Sequence, residues 1–167
     1  LHRQIYDIYA DPRLAPATRD SLIERATDYY LSRSAYAFTT VPKSMALMDE
    51  QPFSQVFRRR EPKFNGLIWA YHWLQVGLYE PLARDTSLAV RRAGVAATLA
   101  GFWAMLEDPP SKMPKVMPMT AAVAPHFAGA HPRAAVIFDN LHMMHDIISD
   151  ILLSIVDPRI RLSGAAS

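Results

Sequence analysis

The residues whose types and spacing could do chemistry are concentrated in positions 139–150, DNLHMMHDIISD. Two of the six histidines and three aspartates lie there, inside a long apolar run. His142 and Asp146 are spaced i, i+4, so on a helix both side chains can reach one metal ion. Asp139 lies about one turn earlier on the same face. Imidazole nitrogens and carboxylate oxygens are common metal ligands, so the pattern predicts a metal site.

At 100° per residue, the helix predicted over 133–156 separates into two faces. Its core stripe contains Ile137, Leu141, Met144, Ile148, Ile151 and Ile155. The opposite side carries Asp139, His142, Asp146 and Asp150, and His145 lies between the two groups. Such a polar stripe is also typical of a solvent-facing helix side. However, residues 134–156 contain no Lys, Arg, Glu or Gln, which favours a polar face turned inward.

A second candidate is His72, in the middle of the apolar segment WAYHWLQ. Gln75 and Tyr79 project from the same side of the predicted helix. A histidine alone in an apolar helix is most often a core residue satisfied by one hydrogen bond. His72 could equally be an axial haem ligand or supply one nitrogen to a metal shared with the last helix. Glu80, two turns further on, is a candidate inward carboxylate.

A proline-rich connection over residues 109–133 carries further metal-binding side chains. They are Met113, Met117, Met119, His126 and His131. Thioether and imidazole ligands together suit copper, and the chain has no cysteine to compete for it. Methionine also fills irregular gaps in packed connectors, so the loop has a purely structural interpretation as well.

The leading hypothesis is a transition metal (iron, copper or zinc) or haem held between the helix over 64–82 and the last helix. The predicted site residues, from direct ligands to those that orient, complete or gate the site, are His72, His142, Asp146, Asp139, His145, His126 and His131. An exchangeable position on the metal would support redox or hydrolytic chemistry. The hypothesis requires the His72 and His142 side chains to converge within about 5 Å, so that bonds of about 2.0–2.1 Å reach one ion.

Two alternatives stay open. In one, the protein is a non-catalytic helical subunit that packs against a protein partner or a second copy through its Trp-rich faces. In the other, an apolar pocket binds a small ligand. The three tryptophans Trp69, Trp73 and Trp103 form the predicted interaction faces, and together with Phe102 they would line the predicted pocket.

The chain lacks the sequence motifs of several other functional classes. Cysteine is absent, which removes disulfides and thiolate chemistry. Neither a nucleophile elbow nor a phosphate-binding glycine loop occurs. The 18 basic residues are scattered, so nucleic-acid binding is not expected. The sequence starts at Leu1 rather than methionine, which is compatible with an exported protein but does not identify a compartment.

The elements that must position these residues are predicted to be helices only. A chain of 167 residues suits a single domain, here 1–167, and no strand pattern competes. Four main helices are predicted over 16–33, 64–82, about 87–107 and 133–156, giving an all-α helical bundle with proline-rich connectors. Short pieces are predicted over 44–50, 52–60 and about 120–124, and the first dozen residues as an amphipathic turn. The segment 64–82 is long enough to span a bilayer, but its polar residues favour a buried helix instead.

Overall fold

The computed structural model describes residues 1–32, 40, 52–112 and 119–143, and these form an all-α bundle without strands, as predicted. Its helices are α1 (His2–Ala10), α2 (Pro16–Leu31), α3 (Pro52–Arg60), α4 (Pro62–Gly77), α5 (Tyr79–Arg84), α6 (Leu88–Glu107), α7 (Met119–Val123), α8 (Pro125–Ala130) and α9 (residues 132–143). The predicted piece over 44–50 and the part of the last helix after 143 lie outside the described residues.

Prolines set several helix boundaries. Pro16, Pro62 and Pro125 begin α2, α4 and α8, at a position where the missing proline N–H would have no partner within the helix. Pro81 has the opposite effect, because it cannot donate to the carbonyl of Gly77. The segment predicted as one helix over 64–82 is therefore two, α4 and α5, separated at Leu78.

Two regions contain more helix than the sequence predicted. The first dozen residues form a full helix, α1, which buries Ile5 and Tyr9 rather than only a turn. The connection over 109–133 contains α7 and α8, where a single turn was expected. Both differences arise from tertiary contacts, since helices this short are marginal in isolation.

The core is a column of aromatic rings that joins α1, α5, α8 and α9. The Tyr6 and Tyr79 rings lie 4.4 Å apart, Tyr79 and Phe127 4.3 Å, and Phe127 and Phe138 5.7 Å, all stacked. Full burial of a large apolar side chain contributes about 1.5–3 kcal/mol. The column therefore fixes α9, which carries His142, against α1.

Small residues hold α6 close to α4 and α5. A Cβ atom added at Gly101 would lie 3.4 Å from the Trp73 ring, and one added at Gly94 would lie 2.5 Å from the Pro81 Cβ. Gly66 of α4 is tighter still, because its added Cβ would overlap the Pro110 carbonyl. These close approaches fix how α4 presents His72.

No helix within the described ranges is long and apolar enough to cross a membrane.

Candidate functional site

His72 of α4 and His142 of α9 lie beside each other. Their ring centroids are 4.9 Å apart and the ring planes are inclined at 44°. His72 is half-buried and His142 is only 5% exposed. The two side chains therefore converge as the metal hypothesis requires, although 70 positions separate them in the sequence.

Gln75, one turn after His72, orients the His142 ring. The Oε1 atom of Gln75 lies 3.3 Å from His142 Nε2. Because an amide oxygen only accepts, Nε2–H is the donor in this contact, and a neutral ring then carries its lone pair on Nδ1. A ligating histidine commonly donates its other ring N–H to an oxygen acceptor in this way.

The polar side of α9 faces inward. Asp139 is 4% exposed and Asn140 is fully buried, like His142. The solvent-face interpretation is therefore wrong for these residues, and the absence of Lys, Arg, Glu and Gln was the correct signal.

Asp139 contacts α7 rather than the histidine pair. Its Oδ1 accepts hydrogen bonds from the Thr120 N–H at 2.9 Å and the Thr120 hydroxyl at 2.8 Å. Burial raises the pKa of the Asp139 carboxyl, and the bonds from Thr120 and the Met119 backbone oppose that rise. Asp139 thus satisfies N–H groups at the start of α7, which no residue of α7 itself can do.

Sequence reasoning missed His2. Its ring stacks on Phe138 at 3.8 Å and lies 6.1 Å from the His142 ring, while Nδ1 is 2.9 Å from the Tyr79 hydroxyl. The signal was present in α1, because positions 2, 6 and 9 are all aromatic or imidazole residues on one helical face.

His126 and His131 lie away from the pair. His126 is exposed and is hydrogen-bonded to Glu80 through both its backbone N–H and its ring Nδ1. Glu80, predicted as an inward carboxylate, is engaged there. His131 is 1% exposed and contacts α1 and α2 instead. The predicted histidines are thus distributed over separate places in the fold.

The His131 ring is surrounded by polar groups from two helices. Its Nε2 lies 3.2 Å from the Tyr9 hydroxyl and 3.7 Å from Asp20 Oδ1, and its Nδ1 lies 3.5 Å from Glu24 Oε1. Glu24 also pairs with Arg133 of α9 at 3.5 Å. This arrangement joins α2 to the start of α9 and has a structural role.

Three tyrosines near these histidines remain phenols at neutral pH. Burial raises the pKa of Tyr79 above its ordinary value, and the neighbouring Tyr6 raises it further. Burial also raises the pKa of Tyr6, and it raises that of Tyr9 to about 12. All three therefore act as hydrogen-bonding hydroxyls and not as anionic ligands.

The other predicted ligands lie outside the described residues or in the core. His145 and Asp146 lie outside the described residues, as do Met113 and Met117 of the predicted copper loop. Met119 is buried in the core. In the part of the chain that the structure describes, no three His, Asp or Glu side chains are grouped so as to hold one metal ion.

Comparison of the chain with protein-family models, with curated proteins and with solved structures gave no match.

Proposed function

We propose that the protein binds a transition-metal ion between α4 and α9, with His72 and His142 as ligands. The observation that carries the proposal is the 4.9 Å separation of their ring centroids. Two buried or half-buried imidazoles from different helices, facing each other, offer nitrogen donors to zinc, copper or iron.

The ring separation suits one ion bound by both rings at adjacent positions. With metal–nitrogen bonds of about 2.0–2.1 Å, ring centroids at angles of about 90–110° around an ion lie roughly 4.5–5.2 Å apart. Two rings on opposite faces of a haem would need about 6.4 Å by the same geometry. Of the two predicted cofactors, a metal ion is therefore favoured over a haem with both histidines as axial ligands.

Gln75 supports the proposal independently. Its contact with His142 Nε2 fixes the ring and directs Nδ1 as the nitrogen for the metal. Two protein nitrogens leave coordination positions for a further ligand and for water. Asp146, four residues after His142, remains the predicted third ligand. If water fills an exchangeable position, the metal lowers its pKa, and hydrolytic or redox chemistry follows.

The test is metal binding by the tag-free protein after treatment with a chelator. Zn²⁺, Cu²⁺ and Fe²⁺ are titrated against a competing chromophoric chelator, and elemental analysis measures what the protein carries on purification. We expect one equivalent of metal to bind. His72→Gln and His142→Gln should each weaken binding at least tenfold, because each removes one nitrogen ligand.

His126→Gln is the matched control, since His126 is exposed and paired with Glu80. It should bind metal as the unaltered chain does. Circular dichroism confirms that each variant retains its helices. Failure to bind a stoichiometric metal, or equal weakening by His126→Gln, would overturn the proposal. A Soret absorption band in the purified protein would instead identify haem as the cofactor.

A second candidate function is helical association with a protein partner or a second copy. The observation that favours it is a connected aromatic group on α4 and α6: Tyr71 lies 5.2 Å from Phe102, which lies 5.5 Å from Trp103. Trp103 is 60% exposed and Tyr71 56%. Large exposed apolar groups that adjoin one another are typical of interaction surfaces.

Light scattering coupled to size-exclusion chromatography tests self-association through this surface. We expect a dimer that Trp103→Glu converts to a monomer, because a buried unpaired carboxylate is costly. Tyr29→Glu, an equally exposed aromatic position on α2, is the control and should leave the dimer intact. A monomer at all concentrations contradicts self-association.

A further inference from the structure

A cavity of about 260 Å³ lies between the end of α1, α5 and the first half of α6. Its walls are mostly apolar, with Leu82, Leu88, Val95 and Leu99 among the ten residues that line it. Leu88 and Leu99 are 49% and 38% exposed. The cavity is thus open, and apolar surface surrounds its mouth.

One wall is formed by a buried cation. Arg91 lines the cavity and is only 8% exposed. Its Nη2 donates to the Tyr9 carbonyl at 2.6 Å, while its buried Nε donates to no acceptor among the described residues. Buried charges in proteins are ordinarily paired, because burial without a counter-ion is costly.

Among the described residues, another cation lies near Arg91 and no carboxylate forms an ion pair with it. Arg19 and Arg91 both lie against the Tyr9 ring, 5.1 Å and 5.9 Å from its centroid. Burial, and then the charge of Arg19, lower the pKa of Arg91. None of the ten residues that line the cavity is acidic, and a second arginine, Arg92, also lines it.

We infer that this cavity binds a small monocarboxylate with an apolar chain or ring, whose carboxylate pairs with Arg91. A guanidinium presents N–H donors that match the two oxygens of a carboxylate. At about 30 Å³ per water-sized group, the cavity holds about nine non-hydrogen atoms. A single negative charge suits this mostly apolar site better than a phosphate dianion, whose desolvation costs more.

Octanoate, with ten non-hydrogen atoms, is a suitable probe, because the end of its chain can extend into the open mouth of the cavity. We expect isothermal titration calorimetry to show one site, and ¹⁵N spectra to show shifts at Val95, Ala96, Leu99 and the Arg91 Nε–H resonance. Octanol, octylamine and octyl phosphate should each bind at least tenfold more weakly. Arg91→Met, which keeps a long unbranched side chain, should weaken octanoate binding at least tenfold.

Two further variants keep the test decisive. Ala96→Phe fills the cavity from an exposed position, so it should block octanoate even if Arg91→Met does not fold. Arg25→Met, at an exposed arginine of α2 that does not line the cavity, is the control for net charge and should bind normally. The inference is overturned if octanoate does not bind, if octanol or octyl phosphate binds equally well, or if Ala96→Phe leaves octanoate binding unchanged.

Discussion

Two buried histidines, His131 immediately before α9 and His142 within it, have different described contacts. His131 has a carboxylate within 4 Å of each ring nitrogen, Glu24 at 3.5 Å and Asp20 at 3.7 Å, and Tyr9 beside them. The His142 ring lies beside the amide of Gln75 and the imidazoles of His72 and His2.

The two sets of contacts underlie the proposal that His142 binds a metal and that His131 does not. Two carboxylates of α2 and the Tyr9 hydroxyl surround the His131 ring, which places this histidine in the packing between helices. His142 contacts Gln75 through Nε2, and its ring lies beside that of His72. Both histidines are buried, so burial alone does not separate them, and the proposal depends on which groups lie beside each ring.

The largest expected effect is on stability. His131→Leu should lower the free energy of unfolding by about 2–3 kcal/mol, because it removes the partner of the buried Tyr9 hydroxyl and of two carboxylates. His142→Leu should cost about 1 kcal/mol, since Gln75 is exposed and can bond to water. Urea denaturation with a chelator present measures both. Equal losses would remove the distinction between the two histidines.

Hydroxyl deletions on either side sharpen the comparison. Tyr9→Phe should cost about 1–1.5 kcal/mol, because it takes the 3.2 Å partner from a fully buried ring nitrogen. Tyr79→Phe should cost about 0.5–1 kcal/mol, since its partner His2 is only half-buried and can be hydrated. Thermal and urea unfolding of the two variants provide the measurement, and the reverse order would contradict the assignment of His131 as the tighter structural contact.

Asp139 lies between His131 and His142 in the sequence, and its contribution to stability should depend on pH. Because burial raises its pKa, the folded state holds the carboxyl proton more tightly than the unfolded chain. This contribution to stability is complete below the unfolded pKa of about 3.9 and is lost as the pH rises through the folded value.

Asp139→Asn keeps an oxygen acceptor for Thr120 without the charge. The free energy of unfolding of the variant should lie within about 1 kcal/mol of that of the unaltered chain. Relative to the unaltered chain, the variant should become more stable as the pH rises from 3 to 7. Urea titrations across that range measure the difference. If the variant instead becomes less stable than the unaltered chain as the pH rises, folding favours the charged form of Asp139.

The smallest effect is expected at Glu24, which is 41% exposed at its side chain. Glu24→Gln should lower stability by about 0.5 kcal/mol at low salt, and by less at high salt, because solvent-exposed ion pairs are screened. Glu107→Gln, at an exposed position of α6, is the control. A salt-independent loss would indicate that packing, not charge, connects Glu24 to His131.

Much of the fold follows from the sequence because apolar periodicity and prolines are local signals. The limits of α2 and α6 lie within two residues of their predicted limits. The short piece predicted over about 120–124 corresponds to α7, whereas α8 was missed because prolines indicated a loop, although Pro125 occupies a position where proline starts a helix. The stabilisation of α7 by Asp139 joins residues 19 positions apart, and no local pattern records it.

The candidate site was predicted in part because the distribution of polar and apolar residues along each helix is a local signal. An apolar helix with one histidine and a polar face without lysine or glutamate correctly indicated that His72 and His142 point inward. Which histidines meet depends on helix packing, so His131 was assigned to the same site although its partners, Asp20 and Glu24, belong to α2. His2 was overlooked because its contacts lie 77 residues away.

The position of α1 has a consequence for synthesis on the ribosome. Tyr9 meets His131 across 122 residues, so at about 5–20 residues per second the helix is made roughly 6–24 s before that partner. A nine-residue helix is marginal without its packing contacts, and Ile5 and Tyr9 would be exposed during that interval. Nascent chains should therefore present an early apolar segment to chaperones, and completion of the aromatic column should come only after α9 has left the ribosome.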